Sequence, residues 1–224
     1  MTEPARRPLI VLSGWRTPHL SAELLRRRLR DRAGIADDRT LPVSFFWRSS
    51  IETAAAELRK AVSNRFGTPE VPSPPVDIVA LSMGGLVARR AAMEDPDLAG
   101  PRLRIARLFT LGTPHQGAKL AALVRVDEAS REMRPGSAWL ARLDAALTSA
   151  DYELICYARL GDWMVGATRT APAGREPLWK PGPPIIAHHT LGMDRAILDD
   201  IAARLRGEPG RSSDRLRSGK PPKD

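Results

Sequence analysis

The sequence predicts an α/β fold in which a mostly parallel central sheet of about six strands carries helices on both faces. Short apolar runs alternate with longer segments whose apolar residues recur three and four apart, the pattern of βαβ units. The 224 residues suffice for one such domain and are too few for two well-packed ones. One apolar run also stops at a serine and continues at once as a helical pattern, which calls for a tight strand-to-helix turn.

The run Leu-Ile-Val-Leu over 9–12 is the first strand, and Ala22, Leu25 and Leu29 mark a helix over 21–31. Residues 43–47 form the second strand, followed by a helix over 51–66 with Ile51, Leu58 and Val62 on one side. The prolines between Pro69 and Pro75 require a loop, since proline fits neither a helix interior nor a central ladder. The third strand covers 77–81, a helix 83–94 and the fourth strand 105–111. A helix over 138–149, carrying Leu140, Leu143 and Leu147, leads to the fifth strand over 153–158. The sixth strand is expected over 184–187, and Ile197, Ile201 and Leu205 place the last helix over 195–206. Two excursions, 124–137 and 166–183, leave the sheet near its carboxyl ends, where open α/β sheets bind ligands, and are candidates to wall a cleft. Residues 1–206 therefore read as one domain. Residues 207–224, dominated by Arg, Ser, Gly, Pro and Lys, read as a disordered basic tail.

The formal net charge of +9 comes almost wholly from arginine, spread over segments such as 24–32, 102–107 and 211–217. A nucleic-acid surface gathers basic residues on one face among stacking aromatics, and only 5% of the residues are aromatic, so no nucleic-acid partner is expected. Cys156, the only cysteine, lies in an apolar run and reads as a core residue that can form no internal disulfide. No apolar signal region precedes the first strand and no stretch reaches the length of a membrane span, so a soluble, cytoplasmic protein is expected.

Chemistry enters at Asp77-Ile-Val-Ala-Leu-Ser82-Met-Gly-Gly-Leu86. A serine on a sharp strand-to-helix turn lifts its Oγ above the sheet, and side chains two before and two after it must be small to avoid collision. Ala80 and Gly84 meet that need and Gly85 adds room, although the usual first glycine is an alanine here. The other reading of the segment is a tight turn with no chemistry.

The residues 9–15, Phe45-Phe46-Trp47, this elbow, and Phe109-Thr-Leu-Gly-Thr-Pro-His-Gln-Gly117 resemble the α/β-hydrolase superfamily, especially the compact bacterial lipases without a lid domain, which also use alanine at the first elbow position. The likeness covers most of the chain before the tail. Leu81 and Ser13 depart from it, standing where many relatives carry histidines, and so bear on substrate preference.

The resemblance implies a serine nucleophile, Ser82, followed in chain order by an acid and then a histidine. Asp162 lies just past the fifth strand and matches the family's acid turn, with Val165 three residues on; Asp127, Asp144 and Asp151 fall in helical or variable segments and read as solvated charges. Of the four histidines, His19 and His115 precede Asp162, which leaves His188 and His189. His188, with Thr190, Leu191 and Asp194 after it, matches the family's register; His189 is second choice. Backbone N–H groups of Met83 and, by resemblance, Trp15 after Gly14 are expected to hold the oxyanion. His115 and Trp163 are candidate substrate-wall residues, with Trp139 and Trp179 as further possible acyl-pocket groups, although turn and core roles would serve these residues equally well. The resemblance thus implies an esterase or lipase working through an acyl-enzyme on a small ester or lipid, with no metal or cofactor. A thioesterase or acyltransferase with the same triad, or a non-catalytic binding protein of the same fold, is the alternative.

Overall fold

The computed structural model describes residues 7–45, 50–123, 127–183, 186–211 and 215–222. Along the chain run β1 (Leu9–Trp15), α1 (His19–Ala33), β2 (Thr40–Phe45), α2 (Ile51–Phe66), β3 (Val76–Leu81), α3 (Met83–Ala91), β4 (Ile105–Leu111), α4 (Lys119–Leu123), α5 (Glu128–Glu132), α6 (Ala138–Ala145), β5 (Glu153–Arg159), β6 (Leu178–Lys180) and α7 (Arg195–Leu205). The strands pair in the order β2-β1-β3-β4-β5-β6, and every neighbouring pair is parallel.

Successive side chains of a strand point to opposite faces, so an apolar run in a central strand feeds two cores. Leu9 and Val11 of β1 pack with Leu25 and Leu29 of α1 and with Ile197, Leu198 and Ile201 of α7. Ile10 and Leu12 pack on the opposite face with Leu58 and Val62 of α2 and Leu86 and Val87 of α3. The helices thus cover both faces. The carboxyl ends of β1, β3 and β5 then lie along one edge, from which the next loops depart.

Several elements differ from expectation. The sixth strand is Leu178–Lys180, in register with Tyr157, Ala158 and Arg159 of β5, and not 184–187. Pro183 leads into that segment and starves a ladder of donors; Pro184 and Ile185 lie outside the described residues, while Ile186 is exposed and Ala187 sits in a turn. Strand β2 begins earlier than expected, and Phe46 and Trp47 of the predicted strand are also outside the described residues. Helix α3 stops at Ala91, and the 138–149 helix divides into α6 and a 3-10 turn, Ala146–Ser149. Helix α4 was not foreseen, and the first excursion, of which 124–126 fall outside the described residues, contains α5.

The tail also departs from its reading as disordered. Arg217 exchanges backbone hydrogen bonds with Trp179 of β6 at 2.7 and 2.8 Å, and the Trp179 indole N–H donates to Gly219 O at 3.0 Å. Leu216 is buried in the core beneath α7. An edge strand offers unpaired backbone groups, and here Arg217 pairs with those of Trp179. Its average composition conceals the single leucine that anchors it.

Candidate active site

Ser82 follows β3 with φ 52° and ψ −126°, a positive φ in a residue that bears a Cβ. Such backbone costs on the order of 1–3 kcal/mol and persists only where its surroundings over-determine it. The Ser82 N–H donates to Leu111 O at 2.8 Å, and its carbonyl accepts from Thr113 Oγ1 at 2.7 Å and from the Gly85 N–H at 3.1 Å. A Cβ at Gly84 would come within 2.6 Å of Ser13 O, and one at Gly85 within 2.3 Å of Thr113 Oγ1. The small residues of the turn therefore make room for β1 on one side and for the turn after β4 on the other.

Asp162 lies beyond β5 with no exposed surface. Its Oδ1 accepts from the Met164 and Val165 N–H groups at 3.1 and 3.0 Å, and Oδ2 lies 2.7 Å from His188 Nδ1. Two amides and an imidazole satisfy a carboxylate whose burial would otherwise be costly. With Nδ1 held by the carboxylate, Nε2 is the His188 nitrogen left to exchange a proton. His189 is exposed and stands edge-on to His188, with ring centroids 5.9 Å apart.

The turn carrying His188 is braced from two sides. Arg159 donates to Thr190 Oγ1 at 2.6 Å, and Asp194 caps α7 by accepting from the Ala196 and Ile197 N–H groups. Asp194 also pairs with Lys180 at 3.1 Å and Arg159 at 3.5 Å. Thr190 and Asp194 enter the sequence reading only as marks of the His188 register; the bracing by Arg159 and Lys180 has no local sequence signal, while an Asp directly before an apolar helical run is an N-cap signal.

Ser82, His188 and His189 line one cavity of about 430 Å³. Its walls include Leu24, Leu81, Leu120, Met133, Met164 and Val165, and among the described residues lining it there is no Asp or Glu. Trp15 at the end of β1 and Arg16 just after it reach the cavity. A Cβ at Gly14 would lie 3.1 Å from Ser82 Cβ, so the end of β1 passes close against the serine. Met83, the other expected oxyanion residue, opens α3 immediately after Ser82. Asp127, expected as a solvated charge, instead accepts from the Trp15 indole N–H at 3.1 Å and caps α5 through the Ser130 N–H at 2.9 Å.

His115 is a correction to the expected cleft wall. It is fully buried, and Pro114 lines the cavity in its place. Its Nδ1 lies 2.8 Å from Arg89 Nη1 and its Nε2 3.1 Å from Thr110 Oγ1. Burial, and then the Arg89 charge, hold its pKa well below the ordinary histidine value, so it is a neutral structural group. Among the described residues lining the cavity, Met164 and Val165 appear and Trp163 does not; Trp163 is half exposed. Trp139 instead donates to Glu52 at 2.9 Å, and Trp179 holds the tail. Cys156 is buried, and burial raises its thiol pKa to about 11, in keeping with a core residue. Among the described residues no group of three or more His, Cys, Asp and Glu side chains could hold a metal ion, and no helix is long and apolar enough to cross a membrane.

No protein-family model and no curated protein matches the chain. Solved structures do resemble it. The product of the Listeria innocua gene lin2722 aligns at 14% identity over 92% of this chain and 96% of its own, with a TM-score of 0.63. The Bacillus licheniformis lipase BlEst2 in its propeptide form aligns at 14% identity over 94% of this chain and 52% of its own, with a TM-score of 0.63. Phospholipase PlaB from Legionella pneumophila aligns at 14% identity over 67% of this chain, which spans only 38% of that protein, with a TM-score of 0.54. The architecture they share with the parallel six-stranded sheet is the α/β-hydrolase fold.

Proposed function

We propose, with the α/β-hydrolase fold as premise, that the protein cleaves carboxylic esters through an acyl-enzyme formed on Ser82. His188 Nε2 takes the hydroxyl proton as Oγ attacks the acyl carbon, and the carbonyl electron pair moves onto oxygen. That pair returns as the bond to the alkoxide breaks, and the alkoxide leaves with the proton from His188. Water repeats the sequence on the acyl-enzyme, releasing the acid and restoring Ser82. Asp162 fixes the imidazole tautomer and stabilises the imidazolium. The Trp15 and Met83 N–H groups meet the oxyanion, a role in which one donor is typically worth about 2.7–4 kcal/mol.

The observation that carries this reading is the buried Asp162–His188 pair opening onto the same cavity as a serine held at positive φ. The aliphatic walls suit an acyl chain, and the lipases among the structural neighbours support ester hydrolysis. A fluorophosphonate probe tests it. The native chain should be labelled and Ser82→Ala should not; labelling of neither, or of both, would remove the proposal.

A further inference from the structure

We infer that the ester taken by this cavity carries an anionic group, bound by Arg28 with Arg16 beside it. The inference rests on the proposed role of Ser82 and names the substrate class of the same cavity.

Helix α1 contains five arginines, and four of them have carboxylate partners. Arg26 pairs with Glu23 and Asp37, Arg27 with Glu23, Arg30 with Asp31 and Asp37, and Arg32 with Asp199. Arg28 differs on two counts. Among the described residues it forms no ion pair, its Nη1 donating only to Gly192 O at 3.4 Å, and it is the arginine of α1 that lines the cavity. A hydrogen bond of that length is weak and leaves most of the five guanidinium donors to other acceptors.

Arg16 is the second cation of the cavity. It holds a positive φ of 50°, an uncommon backbone for a residue with a long side chain. Its carboxylate partner, Asp127 Oδ2 at 3.4 Å, is shared with the Trp15 indole at 3.1 Å. Arg28, and Arg16 with its Asp127 partner, thus line a mostly aliphatic space whose described lining holds no acid, so a ligand anion there would meet cations and no like charge. A half-buried cation in such a place is best satisfied by a ligand anion. The planar fork fits carboxylate and phosphate alike, while Leu24, Met133 and Met164 accept the hydrocarbon part.

Calorimetric titration of the full chain with octyl phosphate, octanoate and 1-octanol tests this without requiring turnover. At least one of the two anions should bind about tenfold or more tightly than the alcohol, as expected for a charge-assisted hydrogen bond, and their order identifies phosphate or carboxylate as the preferred group. Arg28→Gln should abolish the preference, Arg28→Lys should retain part of it, and added salt should weaken it. Equal binding of all three ligands by the native chain overturns the inference. So does a loss in Arg28→Gln that is as large for octanol as for the anions, which would mark Arg28 as a brace for Gly192. Failure of the hydrolytic reading would show separately, as absence of fluorophosphonate labelling at Ser82.

Discussion

The indole N–H of Trp15 donates to Asp127 Oδ2 at 3.1 Å, tying the carboxyl end of β1 to the N-cap of α5. The Trp15 amide is a proposed oxyanion donor, and such donors act only when held in place. Asp127→Ala removes the tie together with the N-cap. The cap loss should cost about 1 kcal/mol, or about 2–4 °C in Tm for a chain of this size, and kcat on a short nitrophenyl ester should fall about tenfold. Trp15→Phe keeps an aromatic ring but loses the indole donor, and should reproduce the kcat loss while the α5 cap stays intact. A destabilised Asp127→Ala with native kcat would limit Asp127 to capping.

Asp162→Asn should lower kcat by about 10³–10⁴-fold, because the amide no longer matches the Nδ1–H tautomer that presents Nε2 to the serine. Its oxygen can still accept from Met164 and Val165, so the fold should survive. His188→Ala should lose activity by about 10²–10⁴-fold, the usual worth of a general base, and His189→Ala far less. Steady-state rates on one ester decide the matter: equal losses at His188 and His189 would contradict the assignment.

How much of this could be read from the chain depended on how local the cause was. Strand β4 and helix α2 begin and end where the sequence predicts, since each is a single periodic run with clear stops. The turn at Ser82 was legible for the same reason, as its steric demands fall on residues within three positions of it. Strand β6 escaped notice because three residues at a sheet edge carry no periodicity. His115 was misplaced because what draws it inward is Arg89, a buried arginine 26 residues earlier. Asp127 was misjudged because its partner, Trp15, lies 112 residues away. Contacts of that kind become visible only once the sheet order is known.

Glu132 supplies a pH dependence. Its Oε2 accepts from the Ile51 N–H at 2.8 Å, joining α5 to the start of α2. Burial, partly opposed by that hydrogen bond and aided by Glu128 and Glu52, raises its pKa from an ordinary 4.5 to about 7. Between these values the folded chain keeps a proton that the unfolded chain has lost, so stability falls as pH rises through this window, and the loss is complete above about pH 7. Glu132→Gln keeps an acceptor for Ile51 but does not titrate. The Tm difference, variant minus native, should therefore climb between about pH 5 and pH 8; a difference independent of pH would show that Glu132 titrates normally.

Gly85→Ala and Leu216→Ala should separate local geometry from global stability. A Cβ at Gly85 would press on Thr113 Oγ1 at 2.3 Å and Cγ2 at 2.7 Å, and Thr113 is the residue that donates to the Ser82 carbonyl. Relief of that overlap should cost about 1–3 kcal/mol and move the serine turn, so that Tm and kcat fall together. Leu216 packs under α7 and does not line the cavity. Its truncation should cost about 2 kcal/mol, the low end for a buried leucine, and lower Tm by about 4–8 °C with kcat at 25 °C retained. The comparison is informative because the two variants lose similar stability: a native kcat in Gly85→Ala would show that the turn tolerates displacement, and the steric argument for its small residues would fail.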